Sequence, residues 1–248
     1  MQPVAARPRP AAEPGFTLVE LMVVIAIIAI IAAIAIPNLL AARLQANEAA
    51  AIATMRSIAT AQSQFQTSAR VDVDRDGVGE HGLFRELTGA AGLRTTGDGS
   101  ALGAALRPAA LSGSFATLNS DGEVTRSGFH FKVFLPNAQG RAVSESSLSA
   151  LEASGAAVID SDLAETTWCA YAWPARGGAT GTHTFFVSQR GDITRSEREP
   201  ALRSGPNGIE VSEAGYAFVA GGGPASQITG VVAYGALGRD GKVWRRVN

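Results

Sequence analysis

Gly15-Phe16-Thr17-Leu18-Val19-Glu20 opens the stretch that decides the fold, and Leu21 to Ile36 follow as sixteen uninterrupted apolar residues. One acid therefore stands near the start of a helix otherwise suited to a bilayer. Phe16 to Ile36 spans 21 residues, about 30 Å as a helix, which matches the hydrocarbon thickness of a membrane. Holding an ionised carboxylate at that depth costs roughly 2.5–3.5 kcal/mol even on lenient insertion scales. A chain that keeps Glu20 there is expected to use it.

Beyond Ile36, Pro37-Asn38 closes the strictly apolar run without requiring the helix to end. Leu40, Leu44, Ile52, Met55, Ile58, Ala59, Gln62 and Phe65 recur at mostly three- and four-residue spacing, while Arg43, Gln45, Glu48, Arg56 and Gln64 fall elsewhere. This pattern predicts an amphipathic helix. Pro37 inside it costs one backbone hydrogen bond and bends the axis. From Phe16 to Ser68 the combined helix would reach roughly 80 Å at 1.5 Å per residue. Its first half is apolar all round and its second half has one sticky face.

That face needs a cover, and the rest of the chain supplies strands. Gly128–Leu135 alternates, with Phe129, Phe131, Val133 and Leu135 on one side and His130, Lys132 and Phe134 on the other. Thr167–Trp173 and Thr182–Ser188 are rich in β-branched and aromatic residues. Gln189–Asp192 reads as a turn into a short strand at Ile193–Arg195. Gln227–Ala236 and Lys242–Val247 flank Gly238-Arg239-Asp240-Gly241, a hairpin signal. Gly89–Ser114 and Ser196–Gly208 read as irregular, and Leu148–Glu152 and Leu163–Thr166 as short helical turns. Tight turns between strands imply an antiparallel sheet packed on the amphipathic half of the helix.

The run Gly-Phe-Thr-Leu-Val-Glu ahead of an apolar stretch resembles the processing site of the type IV pilins and of the pseudopilins of type II secretion. The resemblance covers Gly15 to Asn38 at motif level and extends by element order to the C-terminus. It implies an α+β, type IV pilin-like fold: a long N-terminal helix, with a membrane half and an amphipathic half, packed on an antiparallel β-sheet head. The corresponding division is a leader at 1–15, a transmembrane or filament-core half at 16–36, an amphipathic half at 37–69 and an extracytoplasmic head at 70–248.

The same resemblance implies that a prepilin peptidase cuts after Gly15 and methylates the new amine of Phe16. It implies that Glu20 neutralises a neighbouring subunit's N-terminus during assembly. The partners implied are that peptidase, other pilin or pseudopilin subunits, the inner membrane and an assembly platform. Physical chemistry agrees at each position. Glycine lacks a Cβ and lies extended in a protease site without a clash, and a buried carboxylate requires an opposite charge that a helix bundle can supply. Ala26, Ala29, Ala32, Ala33 and Ala35 allow close helix approach. Arg7 and Arg9 place the leader on the cytoplasmic side.

Two other readings of the N-terminus remain open from the residues themselves. A plain signal anchor fits the length, giving a single-pass periplasmic binding or adhesion module that does not polymerise. A cleaved secretory signal fits Ala33-Ile34-Ala35 and would start a secreted enzyme at Ile36. Neither gives Glu20 a purpose.

Asp72-Val73-Asp74-Arg75-Asp76-Gly77-Val78-Gly79-Glu80 is the second conspicuous motif. Alternate carboxylates before a glycine can wrap oxygen ligands round calcium. The twelfth position of an EF-hand register is Leu83, so no EF-hand is present, and Glu80 at the ninth position is the substitute ligand. The expected site is therefore Asp72, Asp74, Asp76 and Glu80. Pseudopilins hold calcium in a C-terminal loop, so the resemblance does not carry that site over.

Composition removes other classes. The 248 residues carry a formal charge of −1, and without Met1–Gly15 there remain 19 basic and 21 acidic residues, so no basic excess points to nucleic acid. Cys169 is the single cysteine, which forbids an intramolecular disulfide. Many pilins have one, and its lack leans toward a pseudopilin. The roughly 180 residues of the head suffice for a core without it. Cys169 itself reads as a packed core thiol. His81, His130 and His183 show no zinc spacing. Arg190-Gly191-Asp192 reads as a turn rather than an adhesive tripeptide. No nucleophile elbow, phosphate loop or dinucleotide fingerprint is present, and no enzyme is expected.

Overall fold

A computed structural model describes residues 15–97, 102–146, 158–197, 204–205, 208–221 and 223–247. Leader residues 1–14 and the helical turn expected at Leu148–Glu152 lie outside them, as does most of the segment at 196–208. The chain divides into two units, Met1–Ala42 and Arg43–Asn248.

One helix, α1 (Leu18–Thr67), runs for 50 residues and continues through Pro37. In the first unit its side chains are exposed on every side, from Leu18 at 73% to Leu40 at 55%. This helix, apolar all round and left uncovered among the described residues, is long and apolar enough to cross a membrane.

In the second unit α1 buries Ala51, Met55, Ile58, Ala61, Gln62 and Phe65. These are the three- and four-residue spacings anticipated, with Ala51 and Ala61 added. Gln62 is polar yet fully buried because it behaves like a strand neighbour. Its side-chain amide donates to the Gly82 carbonyl at 2.7 Å, and its carbonyl accepts from the Gly82 N–H at 3.0 Å.

After α1 come α2 (Phe84–Leu87), β1 (Gly92–Arg94), β2 (Leu102–Ala105), β3 (Val124–Arg126), β4 (Phe129–Pro136), β5 (Ala142–Val143), α3 (Ser161–Thr166), β6 (Cys169–Pro174), β7 (Phe185–Ser188), β8 (Thr194–Arg195) and β9 (Arg245–Arg246). Among the described residues β3-β4-β6-β7-β8-β9 form one sheet in that order, with β5 also paired to β4. Every pairing is antiparallel, and β4 is the backbone of the sheet through its six-residue register with β6. The α+β fold expected from the sequence is the fold found.

The sheet is buried on both faces. Phe129, Phe131, Val133 and Leu135 of β4, with Ala170, Ala172, Phe185 and Val187, join the α1 residues in one core. Phe134, Cys169, Tyr171, Trp173 and Phe186 point the other way into a second core. Ile209, Ala214, Phe218, Ile228, Val232 and Trp244 cover that face from a C-terminal layer that is mostly irregular. Tyr171 fastens the layer, donating its hydroxyl to the Ala214 carbonyl at 2.8 Å and accepting from the Ala217 N–H at 3.0 Å.

Two expectations need correction. Gly89–Ser114 is not irregular throughout: β1 and β2 pair as a separate two-stranded sheet, and Gly113–Phe115 forms a 3₁₀ turn. Near the C-terminus the turn at Gly238–Gly241 does form, with Gly241 N–H donating to the Gly238 carbonyl at 2.9 Å. Its inner flanks pair as expected: Leu237 bridges Val243 antiparallel, and the Gly238 and Gly235 N–H groups donate to the Lys242 and Trp244 carbonyls at 2.8 and 2.7 Å. The outer flanks depart from it: the Ile228 and Ala233 N–H groups donate to the Gly140 and Ala217 carbonyls, and β9 pairs with β8.

Candidate functional site

Among the described residues of the first unit, α1 begins with a reciprocal cap. α1 starts at Leu18, so Thr17 stands at the N-cap and Glu20 at the third helical position. The Glu20 carboxylate accepts from the Thr17 N–H at 2.9 Å and from its hydroxyl at 2.7 Å, while the Glu20 N–H donates to the Thr17 hydroxyl at 3.2 Å. This is the capping box that Thr-x-x-Glu encodes. The spelling Thr17-Leu18-Val19-Glu20 signals this cap independently of the charge of Glu20. Phe16, immediately before the cap, is 81% exposed. The cluster of Gly15, Phe16 and Glu20 is thus held at an ordered helix start, ahead of an uncovered apolar surface.

At the far end of α1 the acidic turn folds onto itself. Asp72 accepts from the Gly77 N–H at 3.1 Å, Asp74 from the Asp76 N–H at 3.4 Å and Asp76 from the Val78 N–H at 2.8 Å. Gly79 anchors the turn: a Cβ there would lie 2.0 Å from the Gln66 carbonyl oxygen. Carboxylate oxygens of Asp72, Asp74 and Asp76 lie within 4.8 Å of one another, and Asp74 makes a second such group with Asp162 and Glu165 of α3. Asp162 and Glu165 lie more than eighty residues along the chain, so only folding brings them in. Burial and the neighbouring acids push the Asp74 and Glu165 carboxyls above their usual range.

Glu80 does not join that group. Its carboxylate turns inward, accepting from the Val73 N–H at 2.9 Å and meeting the Arg94 guanidinium at 2.9 Å. Arg94 also pairs with Glu86 and donates to the His81 carbonyl at 2.7 Å. All three charged groups are more than nine-tenths buried. The oxygens available to a cation at the turn are therefore those of the aspartates and of Glu165.

A third polar knot ties α1 to the sheet. Glu48 accepts from the Thr182 N–H at 2.8 Å, the Thr182 hydroxyl at 2.9 Å and His183 Nδ1 at 3.1 Å. Burial alone would raise the Glu48 carboxyl, but hydrogen bonds from His183 and Thr182 outweigh it and hold the group at about 2.

Comparison with known proteins bears on these features in turn. Residues 11–36 match the prokaryotic N-terminal methylation motif. Residues 33–200, more than half the chain, match a protein family of unknown function, DUF2950. The type IV wide pilus major component PilA4 of Thermus thermophilus is 54% identical over 52 residues. The chain is a type IV pilin-like member of the DUF2950 family. The match to PilA4 covers 21% of this pilin-like chain and 40% of that relative. No solved structure matches.

The remaining candidates of this pilin-like chain are occupied structurally. Asp192 of the Arg190-Gly191-Asp192 turn pairs with Arg246 at 2.5 Å, joining the turn before β8 to β9. Cys169 is wholly buried, and burial pushes its thiol well up. The histidines have separate partners: His81 Nδ1 meets the Ala164 carbonyl at 2.8 Å, His130 meets Thr125 at 2.8 Å and His183 meets Glu48. Burial holds His81 down at about 4.

Proposed function

We propose that this chain is a structural subunit of a type IV filament, a pilus or the pseudopilus of type II secretion. A prepilin peptidase cuts after Gly15 and methylates Phe16. The processed chain waits in the inner membrane through residues 16–36, with the leader end cytoplasmic and the head at 70–248 outside. An assembly platform then lifts it into a bundle of such helices.

One observation carries the reading. The first half of α1 is apolar and exposed on all sides, and it begins at an ordered carboxylate, Glu20. Lipid satisfies the apolar surface but leaves the acid without a counter-charge. A bundle of identical helices satisfies both, because each new Phe16 amine supplies a cation to a neighbour's Glu20. Pro37 lets the helix bend as it leaves the bundle, and the amphipathic half at 37–69 carries the head outward. The relative named as a pilus major component supports this reading over an anchored module that never polymerises.

Filament yield from the full chain, expressed with a peptidase and assembly platform, is the test. The unaltered chain is expected to form filaments, and Glu20→Ala to be processed yet remain in the membrane. No filaments from the unaltered chain, with its leader retained, would favour an anchored binding or adhesion module; wild-type filament yield from Glu20→Ala would remove Glu20 from the assembly contact.

A further inference from the structure

β8 and β9 bring Arg195 directly opposite Arg245. Both are exposed, and among the described residues neither forms an ion pair. Side chains directly opposite on antiparallel strands stand about 4.5–5.5 Å apart at Cβ, and like charges there oppose folding. The adjacent ion pair, Arg246 with Asp192, belongs to the other face and leaves this couple uncompensated. Glu197, two residues beyond Arg195, is the exposed acid nearest in sequence. An external anionic surface would turn the mutual repulsion into attraction.

The position of the couple is fixed by register. Arg195 pairs with Phe185, and the Ser196 N–H donates to the Thr184 carbonyl. Thr184 follows Thr182 and His183, which hold Glu48 on α1. The arginine couple therefore lies level with Glu48. The acidic turn lies at the opposite end of this stretch, after α1 stops at Thr67. Glu48 to Thr67 corresponds to about 28 Å of helix. There Asp72, Asp74 and Asp76 meet Asp162 and Glu165, with Arg75 the one cation within the turn.

Two patches of opposite sign thus sit at opposite ends of one head. Unlike, complementary patches on a single chain make a heterologous contact, the type that propagates into an open helical filament rather than closing a dimer. We propose that the Arg195–Arg245 couple docks the acidic turn of a second copy of this chain, Asp74 and Asp162 foremost. This rests on the filament reading and names the head-to-head contact within it. The contact is exposed at its rim, so it acts on register and encounter more than on affinity and weakens as salt rises.

The experiment uses the full chain with its assembly system. Arg195→Glu with Arg245→Glu is expected to lower filament yield severalfold, and Asp74→Arg with Asp162→Arg to do the same. All four changes in one chain are expected to restore it, since the complementarity is reinstated. All four positions are exposed, and circular dichroism checks that each variant folds. As a separate readout, Arg245→Cys and Asp74→Cys subunits, each also Cys169→Ser, are co-expressed and oxidised in the membrane. A disulfide-linked pair requiring both variants supports the contact, whether or not filaments form. Filaments from the unaltered chain together with no such cross-link and no rescue would overturn the contact and leave the subunit reading standing. Absence of filaments from the unaltered chain, with the cross-link present, would overturn the subunit reading alone.

Discussion

The Glu20 carboxylate accepts both the backbone N–H and the hydroxyl of Thr17, at 2.9 and 2.7 Å, so the acid is an intramolecular cap before it is anything else. Capping and assembly are separable by chemistry. Glutamine serves the third position of a capping box as glutamate does, but it carries no charge. Glu20→Gln should therefore insert and be processed like the unaltered chain while failing to form filaments. Processing by mass spectrometry and filament yield measure the two effects side by side. Filaments at normal yield would assign Glu20 to capping alone.

Glu48 predicts how the head responds to acid. Its folded pKa of about 2 lies below the ordinary 4.5, so its contribution is complete above about 4.5 and is lost as pH falls toward 2. Glu145 has the opposite sign. Burial pushes it up to about 7, so its protonated form favours folding and stability declines as pH rises from 4.5 through 7. Glu48→Gln should lower stability at pH 7 by about 1.5–3 kcal/mol, the range for hydrogen bonds to a charged group, and flatten the acid limb. Glu145→Gln should flatten the slope near neutrality. Thermal melts across pH 3 to 8 check both.

Arg94 is the single cation between two buried glutamates, Glu80 and Glu86. Arg94→Met removes the counter-charge and leaves both acids in a dry site, at a cost of about 3–5 kcal/mol. Adding Glu80→Gln and Glu86→Gln to Arg94→Met should recover part of that loss. Denaturant midpoints of the single and triple variants test the coupling.

The acidic turn predicts a stabilising substitution. Asp74 and Glu165 have raised carboxyl pKa values, first through burial and then through acidic neighbours, Asp76 and Asp162 acting on both. Ionising them near neutrality therefore works against folding. Asp74→Asn should raise Tm at pH 7 in a chelator. The calcium expected at Asp72, Asp74 and Asp76 should raise the Tm of the unaltered chain saturably and that of Asp74→Asn much less. An equal response of the two chains to calcium would leave the turn as a solvated surface.

Much of this architecture was legible in the residues. α1 could be read because sixteen apolar residues and then a helical period admit no other regular element, and β4 because Phe129, Phe131, Val133 and Leu135 alternate. The second core was harder to see. Apolar residues on both sides of β6, with Tyr171 and Trp173 opposite Ala170 and Ala172, signal burial on both faces. The layer that completes it shows no period, since Ile228, Val232 and Trp244 hang from irregular backbone. Glu80 was misplaced for a related reason: a lone Arg94 fourteen residues on has no sequence pattern to announce it as the partner. The Thr17–Glu20 box is legible in the spacing Thr-x-x-Glu, a signal that the charge of an acid before an apolar run masks.

The claim on which the rest depends is processing at Gly15–Phe16. Intact mass and N-terminal sequencing of the full chain, co-expressed with a prepilin peptidase, measure it directly. The account predicts a chain beginning at Phe16 and carrying one added methyl group on its amine. Retention of Met1–Gly15, or a start near Ile36, would contradict it.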